Sequence, residues 1–169
     1  MVLFDSHCHI NAPEFDEDRE AVIARMKEAG LAGAVVIGCE AKELEPLNAL
    51  VAAHPGYLWG AWACHPEYEK VEREPSVEEI VRANSREDFV AVGETGLDYH
   101  WCQPPLEWQA ERFVRHIEAA KRLGKPLIVH AREAEAEAAE ILRAENAGET
   151  GFVLHCFSAG PDVARKVLD

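Results

Sequence analysis

Positive charge is what this sequence has least of: 17 lysines and arginines stand against 31 aspartates and glutamates, a formal net charge of −14 over 169 residues. Gripping a nucleic-acid backbone along its length needs clustered Lys and Arg to replace counterions, so a duplex-coating role is not expected. An anionic substrate would have to meet a local positive centre, and a metal ion can supply one. Long apolar runs are also missing. A membrane helix needs roughly 20 such residues, whereas the runs here are short and interrupted, and no membrane partner is expected. The opening Met1-Val2-Leu3-Phe4-Asp5-Ser6-His7 has neither a basic region nor a cleavage pattern, so no secretory signal is expected. The five cysteines, Cys8, Cys39, Cys64, Cys102 and Cys156, are odd in number and include no Cys-x-x-Cys pair. They read as reduced thiols of a cytoplasmic protein, without a disulfide framework. Neither Gly-x-Gly-x-x-Gly nor Gly-x-x-x-x-Gly-Lys-Ser/Thr follows any apolar run, which removes support from the nucleotide-binding α/β folds.

What the chain does have is alternation. Short β-branched or apolar runs at Val2–Phe4, Ala34–Ile37, Leu58–Ala63, Phe89–Val92, Leu127–Val129 and Phe152–Leu154 are separated by amphipathic stretches. They recur at intervals of roughly 25 to 35 residues, the scale of a βα unit. Ala21, Val22, Met26 and Ala29 share helical spacing ahead of Gly30, a stop signal. Ser76-Val77-Glu78-Glu79, just after Pro75, has the form of a capping box. A longer helical pattern runs from Pro105 to Leu123, with Trp108, Phe113, Ile117 and Ala120 on one stripe and Gly124 at its end. Strands alternating with helices predict a parallel sheet with right-handed crossovers. Polar residues at the C-terminal ends of several strands favour a (β/α)8 barrel of the TIM type over an open sheet, because a barrel gathers those ends at one mouth. About six of eight units are present, and residues 1–169 read as a single barrel domain, incomplete at its C-terminus. The last pattern, Pro161–Asp169, starts like a helix and stops without a cap residue. Six units cannot close an eight-stranded barrel, and the first and sixth strands are left as pairing edges through which such a fragment could self-associate.

The chemistry sits at the strand ends. Asp5-Ser6-His7-Cys8-His9 closes the first strand. Alternation along a strand puts Asp5, His7 and His9 on one face. Two imidazoles at i and i+2 can chelate one divalent ion, with Asp5 orienting one of them from behind. A lone histidine there would more often be barrel filling; a pair at a strand end points to a metal. Strand four runs into Gly93-Glu94-Thr95-Gly96-Leu97-Asp98, strand five ends in His130 and strand six in His155. A carboxylate following a buried strand needs a partner. Placed between histidine pairs, Glu94 could bridge two ions, which in such sites sit about 3.5–4 Å apart. His65, in Ala63-Cys64-His65-Pro66, closes the third strand and reads as a substrate contact. His54, His100 and His116 are expected at the surface or in loops. Cys8 and Cys156, beside ligand histidines, are expected to face the helix layer as small buried hydrophobes.

Taken together, His7-x-His9, the Gly93–Asp98 block, Val129-His130-Ala131-Arg132 and Leu154-His155-Cys156-Phe157 resemble the ordered signature of the TatD-type deoxyribonucleases and hydrolases, over essentially the whole chain. The resemblance implies that His7, His9 and Glu94 hold one divalent ion and Glu94, His130 and His155 a second, as Mg, Mn or Zn. It implies that His65 and Arg132 bind substrate phosphate, with Asp5 and Asp98 supporting the ligands from behind. Where the family usually has Gly-Val-His-Pro, this chain has Ala63-Cys64-His65-Pro66. The family's later Glu-Thr-Asp-x-Pro block, whose aspartate completes the site and helps activate water, is not found in this sequence. The implied reaction is hydrolysis of a phosphodiester in DNA, at strand ends or in single strands, by water whose pKa a bound ion lowers toward about 7. The resemblance also implies a monomeric parent. Two other readings compete: an amidohydrolase-type barrel acting on an amide, lactone or phosphotriester, and an inactive chain that folds only against a partner. Amidohydrolases often bridge their metals with a modified lysine at the fourth strand, where this chain has Glu94.

Overall fold

The computed structural model describes residues 2–69 and 71–168; Met1 and Asp169, the bounds of the expected domain, lie outside them. Six strands follow one another in space as they do in sequence: β1 (Leu3–Cys8), β2 (Leu31–Gly38), β3 (Leu58–Trp62), β4 (Phe89–Asp98), β5 (Leu127–Arg132) and β6 (Phe152–Leu154). Every neighbouring pair is parallel. Helices α1 (Arg19–Glu28), α2 (Leu44–Ala53), α3 (Val77–Ala83), α4 (Glu107–Leu123), α5 (Glu135–Ala144) and α6 (Pro161–Leu168) follow the strands in turn. The sheet curls into a barrel wall, so that a side chain of β1 meets one just after β6 although these two strands are not paired: the His7 and His155 rings stack 3.6 Å apart.

Alternation along β2 divides two cores. Ala34 and Val36 pack outward with Leu58, Val92 and Val129 against Ile23, Leu47, Ile80, Phe113 and Ile117 of the helices. Val35, Ile37 and Cys39 point inward with Ala61, Ala91 and Ile128, a small cluster on the concave side. The helix boundaries follow the local signals. Ser76 Oγ accepts from the Glu79 amide at 3.3 Å while Glu79 Oε2 accepts from the Ser76 amide at 2.8 Å, completing the capping box. Gly124 ends α4 at φ +64°, a left-handed cap.

Four strands outrun their sequence patterns: β2 spans Leu31–Gly38 and β5 continues past Val129 to Arg132, and the other two bear on the site. β1 continues past Phe4 to Cys8, and β4 continues past Val92 to Asp98, pairing with β5 as far as Arg132. Gly93 and Gly96 look like breakers in sequence but act as fitting points. At Gly96 the backbone has φ +143°, and a Cβ there would stand 2.0 Å from the His130 carbonyl oxygen. Only glycine lets β4 and β5 run that close, and this continuation carries Asp98 to the height of the histidines.

Candidate metal centre

The ends of β1, β4 and β5, with the segment after β3, bring their polar side chains to one carboxylate. Glu94, on β4, is 4 % exposed. Its Oε2 lies 3.2 Å from His7 Nε2 and 3.9 Å from His9 Nε2. Its Oε1 lies 3.1 Å from His130 Nδ1 and 3.8 Å from His65 Nε2. Two groups able to hold an ion therefore share Glu94: His7, His9 and Glu94, and His65, Glu94 and His130, each with donor atoms within 4.8 Å of one another. The first matches the set expected from sequence. The second differs from it, because His65 stands where His155 was expected. His155 instead lies flat on the His7 ring, the two planes 5° apart.

The supporting carboxylates divide differently from expectation too. Asp98, fully buried, accepts from His130 Nε2 at 2.8 Å and from the amides of His100 and Trp101 at 2.9 and 2.7 Å. Asp5 makes no hydrogen bond to an imidazole; its Oδ1 accepts from the His7 backbone amide at 3.1 Å, within the stretch of β1 where the pairing with β2 shifts register. Arg132 is exposed on the rim, its guanidinium 5.6 Å from the Trp101 ring centre.

Burial pushes the Glu94 carboxyl upward, but hydrogen bonds from His130, His65 and His7 outweigh it and hold the group well below the ordinary carboxylate range. His130 is desolvated, which favours its neutral form, yet hydrogen bonds to Glu94 and Asp98 raise it above the usual imidazole value. His9 and His155 are lowered, by burial first and then by the nearby His7. The result is an anionic centre ringed by imidazoles, the donor chemistry of a borderline divalent cation. Two details suit an ion there: His7 Nε2 and His9 Nε2 face each other at 3.2 Å beside one carboxylate oxygen, and His7 Nδ1 is buried without a partner.

Several residues that hold this centre were not singled out by sequence. Gln109, Arg112 and His116 fall on one buried face of α4. Gln109 Nε2 donates to the carbonyls of Pro66 and Asp98, and its Oε1 accepts from the Asp98 amide. Arg112, 1 % exposed, donates to the carbonyls of His65 and Tyr68 at 2.9 Å each and forks onto Glu74. His116 was expected at the surface; it is fully buried, accepting from the Cys64 amide at 3.2 Å and donating to the Arg112 carbonyl at 2.8 Å. One signal could have found them: three polar residues at i, i+3 and i+7, interleaved with an apolar stripe. His54 and His100 hold peripheral pairs with Glu20 and Glu133, as expected of loop and surface positions. Cys8 packs on the helix-side core, and burial lifts its thiol to about 11. Cys156 departs from expectation: β6 ends at Leu154, the backbone turns to φ +48° at Cys156, and the thiol is exposed.

The model of the TatD related DNase family matches residues 4–169. The chain belongs to the TatD family. It is 34% identical over 167 residues to an uncharacterized metal-dependent hydrolase, YabD, of Bacillus subtilis (strain 168), covering 99% of this chain and 65% of that protein. It is 31% identical over 156 residues to a protein named 3′-5′ ssDNA/RNA exonuclease TatD from Pantoea sp. (strain At-9b), covering 92% of this chain and 60% of that one. Among solved structures it resembles YjjV, a TatD homologue from Escherichia coli K12, with a TM-score of 0.87 and 31% identity, over 98% of this chain and 64% of that chain. The chain thus spans less than two thirds of the length of these TatD relatives.

Proposed function

We propose that this chain forms the metal-binding core of a hydrolase that cleaves phosphodiester bonds in DNA, acting at strand ends or in single strands. The observation that carries the reading is the Glu94 carboxylate, buried and shared between two imidazole pairs, His7 with His9 and His65 with His130. His7, His9 and Glu94 would hold one divalent ion; Glu94 and His130, with His65 already within reach, would hold the other. Mg, Mn and Zn all suit parts of such a donor set. A bound divalent ion supplies Lewis acidity at a phosphoryl oxygen and a lowered pKa for water. The protein's own part is positional. Glu94 keeps the two groups of ligands in register, Asp98 fixes the His130 ring, and Arg132 on the rim meets a substrate phosphate. The family to which the chain belongs and the name of the Pantoea relative support a nucleic-acid substrate. We place the protein in the cytoplasm, which the five free thiols support. No helix among the described residues is long and apolar enough to cross a membrane. We read residues 1–169 as one barrel unit.

Glu94→Gln tests the reading, since it keeps the shape and removes the charge. Isothermal titration with Mn²⁺ or Zn²⁺ should show affinity falling by at least about 100-fold, beyond the loss typical of groups that only support a ligand. Release of nucleotides from single-stranded DNA should disappear with it. A folded Glu94→Gln protein that binds metal as tightly as the parent would sink the proposal.

A further inference from the structure

The loop between β4 and α4 places a large aromatic ring in water at the edge of the centre. Trp101 is 61% exposed, whereas Phe113 and Ile117 on the neighbouring helix α4 are enclosed. A single exposed aromatic residue is ordinary on a protein surface. This one differs in its neighbours and in how it is held. Its amide donates to Asp98 Oδ1 at 2.7 Å, and the other oxygen of that carboxylate takes the hydrogen bond from His130. The backbone of Trp101 is therefore tied to the proposed metal ligand His130 through one shared carboxylate, that of Asp98. The Arg132 guanidinium lies over one part of the indole, and the His100 ring meets it edge-on at 88°. Arg132 has no carboxylate partner among the described residues, although acidic groups are close. Glu133 is taken by His100 at 2.7 Å, and Glu135 accepts from the Ser158 hydroxyl at 3.1 Å. Beside them opens a cleft of about 510 Å³ whose lining includes His130, Arg132, Glu133, Glu135, His155 and Ser158, within the size range of small-molecule sites; Trp101 lies outside that lining and adjoins it through Arg132.

We propose that Trp101 and Arg132 form a subsite for one nucleotide next to the scissile bond, the indole stacking on its base and the guanidinium taking its phosphate. This rests on the nucleic-acid reading above and gives its preference for strand ends and single strands a physical basis in Trp101. Every base has a π-face, so stacking tolerates any sequence. A base inside a duplex has both faces covered by its neighbours, so the subsite favours frayed ends and single strands. That preference suits a chain whose net charge of −14 gives it no general hold on duplex.

The test is fluorescence anisotropy with a short labelled phosphorothioate oligonucleotide, Mn²⁺ present, in three forms: single-stranded, the same strand with abasic sites, and duplex. Trp101→Ala should weaken binding of the intact single strand about tenfold or more and leave the abasic strand unchanged. Trp101→Phe should restore most of the loss, since a phenyl ring still stacks. Arg132→Ala should weaken the intact and abasic strands alike. Binding of the intact strand that ignores Trp101→Ala, or a parent that binds abasic and intact strands equally, overturns the subsite while leaving the nucleic-acid reading standing. A parent that takes up Mn²⁺ but binds none of the three overturns both.

Discussion

A carboxylate 4% exposed stays ionised only where its surroundings supply compensating donors, and at Glu94 three histidines do so. His116 shows the opposite solution to burial. It sits fully enclosed and neutral, its pKa pushed down to about 4 by desolvation. Nε2 must stay unprotonated to accept from the Cys64 amide, because Nδ1 donates to the Arg112 carbonyl. In the unfolded chain the same imidazole titrates near its ordinary value of about 6.5. Between those values the unfolded state binds the extra proton, so stability is full above about pH 6.5 and falls as the pH drops toward 4. The full difference amounts to roughly 3 kcal/mol. Urea denaturation from pH 7 to 4 should show this slope, and His116→Gln, whose amide oxygen can still accept from Cys64, should flatten it by a corresponding amount. Parallel slopes for the two proteins would mean that His116 does not titrate as its burial demands.

Helix α4 acts on the centre without touching it. Gln109, Arg112 and His116 read the backbone of residues 64–68 and of Asp98, the segments that carry His65 and the partner of His130. Arg112 is anchored in turn by Glu74, and its guanidinium lies 4.5 Å from the Trp108 ring centre. Arg112→Ala strands two carbonyls, at about 1–3 kcal/mol for each buried acceptor left without a partner. We expect a loss of at least about 2 kcal/mol in urea unfolding. Arg112→Lys should recover part of it, since an ammonium cannot serve both carbonyls and Glu74 with the fork's geometry. A stability unchanged in Arg112→Ala would remove this helix from the account of how His65 is held.

At the scale of the whole molecule, the curl of the sheet makes remote residues into one site. His7 and His155 stand 148 positions apart in the chain and 3.6 Å apart in space. An ion held by groups from different strands ties together segments that the unfolded chain separates, so binding to the folded state alone stabilises it by mass action. At 100 times its dissociation constant a metal should add about 2.7 kcal/mol, which for a domain of this size corresponds to a rise in Tm of about 5–10 °C. Calorimetry with Mn²⁺ and again with excess chelator checks this. A Tm that ignores the chelator would mean that the ligands do not gather around an ion.

The sequence by itself determined the order of strands and helices, the parallel sheet and the clustering of His7, His9, Glu94 and His130. All of these follow from periodicity, caps and the rule that barrel strand ends share a mouth. Ser76 and Glu79 close their capping box because its bonds span three residues, and Phe113 and Ile117 are buried because helical spacing fixes their face. Tertiary structure alone decided how far β4 runs, since Gly96 looks like a breaker until the His130 carbonyl is seen against it. It also decided that His65 joins Glu94 and His130 while His155 stacks on His7, because those side-chain directions depend on how segments 29 to 148 residues apart in the chain curl toward each other. The burial of His116 belongs to the same class. A polar residue on a helix can turn to solvent or to a neighbour's backbone, and only the packing of α4 against the end of β3 chose the second.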